Sequence, residues 1–277
     1  MGEDLLISGD FSDFTLHCGG TSFKVHRSSL APVSPFFKGL VGTMFKEGAE
    51  KEAIVKETTP IALAMMLRFI YTGRYEDARD FRNIGNIFPG LGPYRSPGDW
   101  KLDKPKSESP EDSPDHKQLN AQNLKRKHES KLQEQRNSVR LYELACRFMM
   151  PRLAEKVAAS LVKDFTSATT RPVENHPFDL NSADAATLLT DIYDIEGLHR
   201  TPGIQRLHTM VMAKCIHYRW AVWGESDNET GIMKTILGHD EMHRDWEMGV
   251  EVCQAAPSDQ IRNLSKSGLG FLTLPLE

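Results

Sequence analysis

A long apolar run occupies residues 60–73, PIALAMMLRFIYTG, in which only Arg68 is charged. A surface helix would carry a polar face every three to four residues, and this run has almost none. Proline suits the first helical turn, glycine suits the position just after a helix, and Thr58 and Thr59 are suited to the N-cap. The run therefore predicts a helix that is buried on nearly all sides and forms the centre of a domain.

Two alternating runs precede this helix, at residues 13–18 and 21–26, and Gly19 and Gly20 separate them. Polar and apolar side chains that alternate on both sides of a Gly-Gly pair predict a β-hairpin with a tight turn. One face of the hairpin would carry the apolar residues Phe14, Leu16, Cys18, Phe23 and Val25.

Between the hairpin and the apolar helix, the pattern predicts two short helices within residues 28–40 and a short strand at residues 53–55. Pro32 and Pro35 interrupt the helical pattern, and Ser34 is suited to the N-cap of the second helix.

The order of hairpin, helical pair, strand and apolar helix resembles a BTB/POZ domain. Four segments carry the resemblance: DFTL at 13–16, FKVHRSSL at 23–30, SPFF at 34–37 and FIYTGRY at 69–75. The fold-signature residues within them are Asp13, His26, Tyr71 and Gly73. In this family the histidine that matches His26 is implied to be structural and to hydrogen-bond local backbone.

The composition changes at residues 78–136, where prolines and charges of both signs are dense and aliphatic residues are sparse. Such a segment cannot form a core that offsets its ordering entropy, which predicts disorder. Residues 137–166 then predict two helices that resemble the end of a BTB domain. The expected domain thus consists of residues 10–77 and 137–166, interrupted by a disordered insertion.

Residues 167–277 contain further helical runs, beginning near Ser182, Ile204 and Asp240. They resemble the helical region that follows the BTB domain in many fungal proteins of this family. The predicted fold class is therefore α+β: an interrupted BTB/POZ fold followed by an all-helical C-terminal region.

The composition narrows the functional classes. A net charge of −4 argues against direct nucleic-acid binding, and no apolar run approaches the ~20 residues that span a bilayer. The first nine residues are acidic and too short in apolar residues for a secretory signal. Scattered cysteines without a C-x-x-C pair are typical of reduced thiols. We expect an intracellular protein of the cytoplasm, the nucleus or both, without a cofactor.

Met44, Phe45 and Glu47 lie in a loop before the predicted third strand. BTB proteins that recruit cullin-type ubiquitin ligases carry an apolar residue, any residue and an acid in this loop, so the resemblance implies cullin binding. Phe45, or alternatively Met44, would enter a groove of the cullin as an anchor, and Glu47 would lie at the rim. The alternative is a solvated loop in which Phe45 folds back onto Phe36.

Two other segments could carry chemistry. His239 and His243 share a helix face, as in zinc proteases, but Asp240 follows the first histidine where those enzymes have glutamate, and no third ligand is identifiable. We therefore predict no metal site. The run Lys125, Arg126 and Lys127 is a candidate nuclear-import signal, for which the simpler interpretation is a solvated charge run.

The sequence thus predicts a protein-interaction module of BTB/POZ type with no catalytic activity of its own. The alternatives are a transcription-associated regulator and, more remotely, a metal-dependent hydrolase. Residues 1–10 stand before the hairpin and are long enough for one strand but not for a strand and a helix. Within them, Leu5, Leu6 and Ile7 are predicted to form an extended segment that covers a sheet edge of this chain or of a second copy. We expect a monomer or a weak homodimer.

Overall fold

The computed structural model describes residues 2–75, 84, 88, 91, 132–170, 182–194, 207–209, 211–212 and 232–255. The chain divides into two compact units, one made of residues 1–123 and 133–158 and the other of residues 124–132 and 159–277. Among the helices that the structure describes, none is long and apolar enough to cross a bilayer.

The first unit contains a small mixed sheet surrounded by helices. Its elements are α1 (Gly2–Ser8), β1 (Phe14–Cys18), β2 (Thr21–Val25), α2 (Arg27–Leu30), α3 (Pro35–Leu40), α4 (Lys46–Glu50), β3 (Glu52–Ile54) and α5 (Pro60–Thr72). Residues 132–147 are helical and are called α6, and α7 (Pro151–Thr170) follows, with residues 151–158 in this unit. The predicted α+β architecture is confirmed.

The predicted hairpin is confirmed. Strands β1 and β2 pair antiparallel, with Leu16 opposite Phe23. Gly19 and Gly20 both have positive φ, which is the backbone that a two-residue turn of this twist requires. The five apolar residues of its inner face, Phe14, Leu16, Cys18, Phe23 and Val25, are at most 2% exposed.

Strand β3 pairs parallel with β1, so the sheet order is β2-β1-β3. The strand covers residues 52–54 instead of the predicted 53–55, although the N–H of Val55 still donates to the carbonyl of His17 at 2.8 Å. Helices α2, α3 and α4 form the crossover between β2 and β3. Helices α2 and α3 were predicted, and the hydroxyl of Ser34 caps α3 by accepting from the N–H of Phe37.

Helix α5 has the predicted ends. The hydroxyl of Thr59 accepts a hydrogen bond from the N–H of Ala62 at 3.2 Å, and Gly73 follows the helix with φ 69°. Residues 62–67 are each at most 2% exposed. Residues 68–72 are only partly buried, so the prediction of burial on nearly all sides is correct for the first half of the helix alone.

The N-terminal residues form helix α1, so the prediction of an extended segment is wrong. Helix α1 packs against α5, and Leu6 is buried between neighbouring side chains at 3% exposure. The Oε1 atom of Glu3 lies 3.0 Å from the Nε of Arg68. These contacts with α5 stabilise a helix that is too short to be stable alone.

The turn that follows α6 packs on α3 through aromatic side chains. The ring of Phe148 stacks on Phe36 at 4.4 Å and meets Phe37 edge-on at 5.2 Å. The helix ends at residue 147, and Met149 follows it with φ 53° and is half exposed.

Two residues within the predicted insertion pack on the first unit. Ile84 is fully buried, and the ring of Phe88 lies 5.1 Å from that of Phe23. The packed part of the chain therefore extends beyond residue 77. Most of residues 78–136 lie outside the described residues, so the predicted disorder stays a prediction.

The described part of the second unit is helical, as predicted. It contains α8 (Ser182–Tyr193), helical residues at 207–209 and 211–212, α9 (Ile232–Leu237) and α10 (Asp240–Ala255). The ring of Tyr193 stacks on the buried His208 at 3.9 Å, and its hydroxyl donates to Oδ2 of Asp245 at 2.9 Å. Helix α9 was not predicted.

Candidate partner-binding surface

A hydrogen-bonded network joins the end of the hairpin to α5. The hydroxyl of Tyr71 accepts from the backbone N–H of His26 at 2.8 Å and lies 2.7 Å from His26 Nδ1. The other ring nitrogen, Nε2, lies 2.7 Å from the carbonyl oxygen of Asp10. All three contacts are satisfied together when Nε2 carries the proton and donates to Asp10, while Nδ1 accepts from Tyr71. Both residues therefore have structural partners.

Burial raises the pKa of the Tyr71 hydroxyl, and the hydrogen bond from the His26 N–H partly opposes that rise. The neutral hydroxyl is thus the form that the folded protein favours. The network holds α5 against the hairpin in the pH range where tyrosine keeps its proton.

Asp13 and Arg27 connect β1, α2 and α4. A carboxylate oxygen of Asp13 accepts from the backbone N–H of Arg27 at 2.8 Å, at the first residue of α2. The guanidinium of Arg27 lies 5.5 Å from the centre of the Phe14 ring, and its Nη2 donates to the carbonyl oxygen of Gly48. The side chain of Arg27 therefore reaches from the start of β1 to α4.

The segment of residues 42–48, called the anchor loop, returns on itself at its base. Gly48 is buried, and a Cβ placed on it would lie 1.7 Å from the carbonyl oxygen of Gly42 and 3.3 Å from the amide nitrogen of Thr43. No side chain fits into that distance, so only glycine allows the two ends of the loop to approach.

The anchor loop displays the apolar side chains that the sequence analysis identified. Met44 is 94% exposed and Phe45 is 60% exposed. Phe45 is the N-cap of α4, and Glu47 lies exposed in the first turn of that helix. Two large apolar side chains and an acid thus face solvent together on one short segment.

Phe36, on which the alternative interpretation placed Phe45, packs against Phe148. Its ring stacks on Phe148 at an interplanar angle of 11°. Phe45 lies beside Gly39 instead, where a Cβ on the glycine would be 3.8 Å from Cε2 of the ring. One edge of Phe45 rests on α3, and most of the ring remains accessible.

His239 and His243 each contact a different acidic side chain. The Nε2 of His239 lies 3.6 Å from Oδ1 of Asp194, and its Nδ1 faces the N–H of Met242, whereas His243 Nε2 lies 3.5 Å from Oε1 of Glu247. Within the residues that the structure describes, no group of three histidine, cysteine or acidic side chains could hold a metal ion.

The candidate import signal, Lys125, Arg126 and Lys127, lies outside the described residues. It remains a prediction from the sequence.

The sequence analysis missed three parts of this surface: helix α4, the role of Gly48 and the reach of Arg27. A glycine within a loop rich in polar residues is an ordinary turn signal, and nothing in the local pattern shows that it approaches Gly42. The only available hint for α4 was Glu47, an acid at the position where a helix N-terminus favours negative charge.

Comparisons with known proteins place this surface within a recognised domain. Residues 3–88 match the model of the family described as BTB/POZ domain. The chain is 32% identical to "Kelch-like protein 40a" of Danio rerio over 94 residues, which are 34% of this chain and 15% of that protein. It is 31% identical to "Kelch-like protein 41" of Mus musculus over 86 residues, 31% of this chain and 14% of that protein. It is 38% identical to "BTB/POZ domain-containing protein 9" of Rattus norvegicus over 71 residues, 25% of this chain and 12% of that protein. The match spans about a seventh of the length of these curated relatives or less.

Proposed function

We propose that this chain, whose residues 3–88 form a BTB/POZ domain, is a protein-interaction adaptor that binds a cullin-type ubiquitin ligase scaffold. The proposed anchors are Met44 and Phe45, with Glu47 at the rim of the interface. The adaptor would perform no bond-making step itself, and its role would be to bring a second protein to the ligase.

The observation that carries the proposal is the outward display of Met44 and Phe45 from the anchor loop. Large apolar side chains that are exposed together on a fixed segment are typical of a docking surface. The sequence Phe45-Lys46-Glu47 also has the order apolar, any residue, acid, which BTB proteins that recruit cullins carry in this loop.

Alanine scanning of protein interfaces indicates how much binding free energy such an anchor should contribute. A buried aromatic anchor commonly contributes at least ~2 kcal/mol when it is truncated to alanine, roughly 30-fold in affinity. An acid at the rim contributes mainly to the association rate, because rim charges stay in contact with water. Glu47 should therefore matter less than Phe45.

Isothermal titration of the chain with the N-terminal domain of a cullin tests the proposal. Phe45→Ala should weaken binding by roughly 30-fold or more. Phe11→Ala is the matched control, because Phe11 is also a highly exposed aromatic, at 92%, but lies before β1 and outside the anchor loop. Equal effects of the two substitutions, or wild-type affinity in Phe45→Ala, would refute the proposed surface.

The second protein would be held by the helices that follow the domain. The described helices α8 to α10 are the candidates for that role. The likeness to the helical region of fungal BTB proteins stays a prediction from the sequence, as does the intracellular location. The expected state of a monomer or weak homodimer belongs to the same proposal, and sedimentation across a dilution series tests it.

The runner-up is a transcription-associated regulator that uses Lys125, Arg126 and Lys127 for nuclear import. It predicts nuclear accumulation that disappears when all three are changed to alanine. The adaptor proposal does not require that result.

A further inference from the structure

We propose that Arg27 is a positioning residue that holds the anchor loop in the conformation in which it binds its partner. This inference rests on the proposed function of Met44 and Phe45 as anchors. Arg27 would act through its contact with Gly48 at the base of the loop.

The anchor loop is closed at its base by backbone contact. The loop leaves the body of the domain at Gly42 and returns at Gly48, where the backbone of the two residues is in close contact. The carbonyl oxygen of Gly48 accepts the hydrogen bond from Nη2 of Arg27. The side chain of Arg27 thus hydrogen-bonds the residue at which the loop closes, Gly48.

Arg27 is also anchored on the opposite side. Its backbone N–H is fixed by the carboxylate of Asp13, and its guanidinium lies over the ring of Phe14. Phe14 is 2% exposed and belongs to β1. The guanidinium therefore contacts the sheet on one side and the Gly48 carbonyl on the other. These two contacts together restrain the base of the loop relative to the sheet.

The two ends of α4 are attached to the domain by different contacts. Helix α4 has five residues, and its C-cap is Lys51 with φ 61°. The carbonyl oxygen of Lys51 accepts from the N–H of Thr15 at 2.9 Å. That bond fixes the C-terminal end of α4 to β1. The N-terminal end, which carries Phe45, is held by the contacts of Gly48 and by the edge of the Phe45 ring that lies beside Gly39 of α3.

The energetic consequence follows from preorganisation. A loop that must order its backbone on binding loses affinity relative to one that is already ordered. Exposed apolar side chains such as Met44 and Phe45 also gain by collapsing onto their own protein when the loop is released. Arg27 would oppose both effects, so its removal should weaken partner binding without unfolding the domain.

The test compares Arg27→Gln, Arg27→Lys and Lys38→Gln by two independent readouts. The first is hydrogen exchange of the free chain, read at the amides of residues 43–49 and at those of α5. The second is affinity for the N-terminal domain of a cullin. Lysine keeps a donor that can reach toward Gly48, whereas Lys38 is an exposed cation of α3 that serves as the control.

Arg27→Gln should raise exchange at residues 43–49 and leave α5 unchanged, and it should weaken cullin binding by roughly tenfold. Arg27→Lys should keep part of the slow exchange at residues 43–49 and part of the cullin affinity. Lys38→Gln should change neither the exchange nor the affinity. The double variant Phe45→Ala/Arg27→Gln should lose less cullin affinity than the product of the two single fold-losses. The reason is that Arg27 acts through Phe45, which the double variant lacks.

Unchanged exchange at residues 43–49 in Arg27→Gln would overturn the inference, as would full additivity with Phe45→Ala. Faster exchange in α5 as well would also overturn it, since that result would show a general structural role. If the wild-type chain binds no cullin, the proposed function fails, and the exchange readout still decides whether Arg27 orders the loop.

Discussion

At the scale of single residues, the signature side chains act through backbone groups. His26, Tyr71 and Asp13 each hydrogen-bond a main-chain atom at a junction between elements. A polar side chain that satisfies such a group removes the penalty of burying it unpaired. The resemblance predicted that His26 is structural, but not that Tyr71 would be its partner, because 45 residues separate the two in the chain.

Tyr71→Phe should lower the free energy of unfolding by about 1–3 kcal/mol, because it leaves two polar atoms of His26 without their partner. The midpoint of urea unfolding at pH 7 measures the loss. Ser22→Ala removes an exposed hydroxyl that contacts His17, and as a control it should change stability by no more than ~0.5 kcal/mol.

The stabilisation that Tyr71 contributes should decrease at high pH. Burial raises the pKa of Tyr71 in the folded state, so the unfolded chain releases the tyrosine proton first as the pH rises. The stability that the neutral hydroxyl contributes is present below about pH 10, the ordinary value for tyrosine, and is lost above it. The difference in free energy of unfolding between wild type and Tyr71→Phe should therefore become smaller above pH 10. A difference that stays constant with pH would contradict this account.

At the scale of elements, local patterns determined the hairpin and α5 almost completely. Gly19 and Gly20 fix the turn, whereas Thr59 and Gly73 fix the two ends of the helix. Elements that depend on distant contacts were not predictable in the same way. Helix α1 exists because α5 offers it a surface, and residues such as Ile84 were hidden by the charge-rich composition around them.

The two halves of α5 should respond differently to a buried charge. Met65→Asp would place a carboxylate in a site that is 2% exposed, at several kcal/mol against a total stability of ~5–15 kcal/mol. That variant should be insoluble or lack a cooperative melting transition.

Phe69→Asp provides the matched comparison, because Phe69 is partly exposed and the Nζ of Lys156 lies 5.8 Å from its ring. A carboxylate there remains near water and near a cation, so this variant should stay soluble and melt cooperatively. A helix buried on nearly all sides, as the sequence predicted, would instead make both variants fail to fold. Circular dichroism melts of both distinguish the two accounts, and loss of folding in Phe69→Asp would show that the second half is also core.

At the scale of the whole molecule, the chain combines a first unit with a recognised domain and a second, helical unit. The proposed anchor segment could be identified from the sequence because residues 44–47 are contiguous, and its binding role stays a prediction. The support of this segment could not be identified, since Arg27 and Gly48 meet only after the crossover from β2 to β3 has formed.

Limited proteolysis tests whether the domain is interrupted. The proline-rich and charge-dense sequence of residues 92–131 predicts cleavage there. The two products should remain associated, because Phe148 stacks on Phe36 and Nη2 of Arg147 donates to the carbonyl of Lys56 at 2.8 Å. Gel filtration after cleavage measures this, and two separately eluting, folded pieces would contradict an interrupted domain.

The most direct test of the adaptor proposal is the hydrogen-exchange footprint of a cullin N-terminal domain on the unmodified chain. The account predicts slower exchange at residues 43–49 in the complex and unchanged exchange at residues 9–12, which include the exposed Phe11. Binding that protects residues 9–12 and leaves residues 43–49 unprotected, or an absence of any footprint at saturating concentrations, would contradict it.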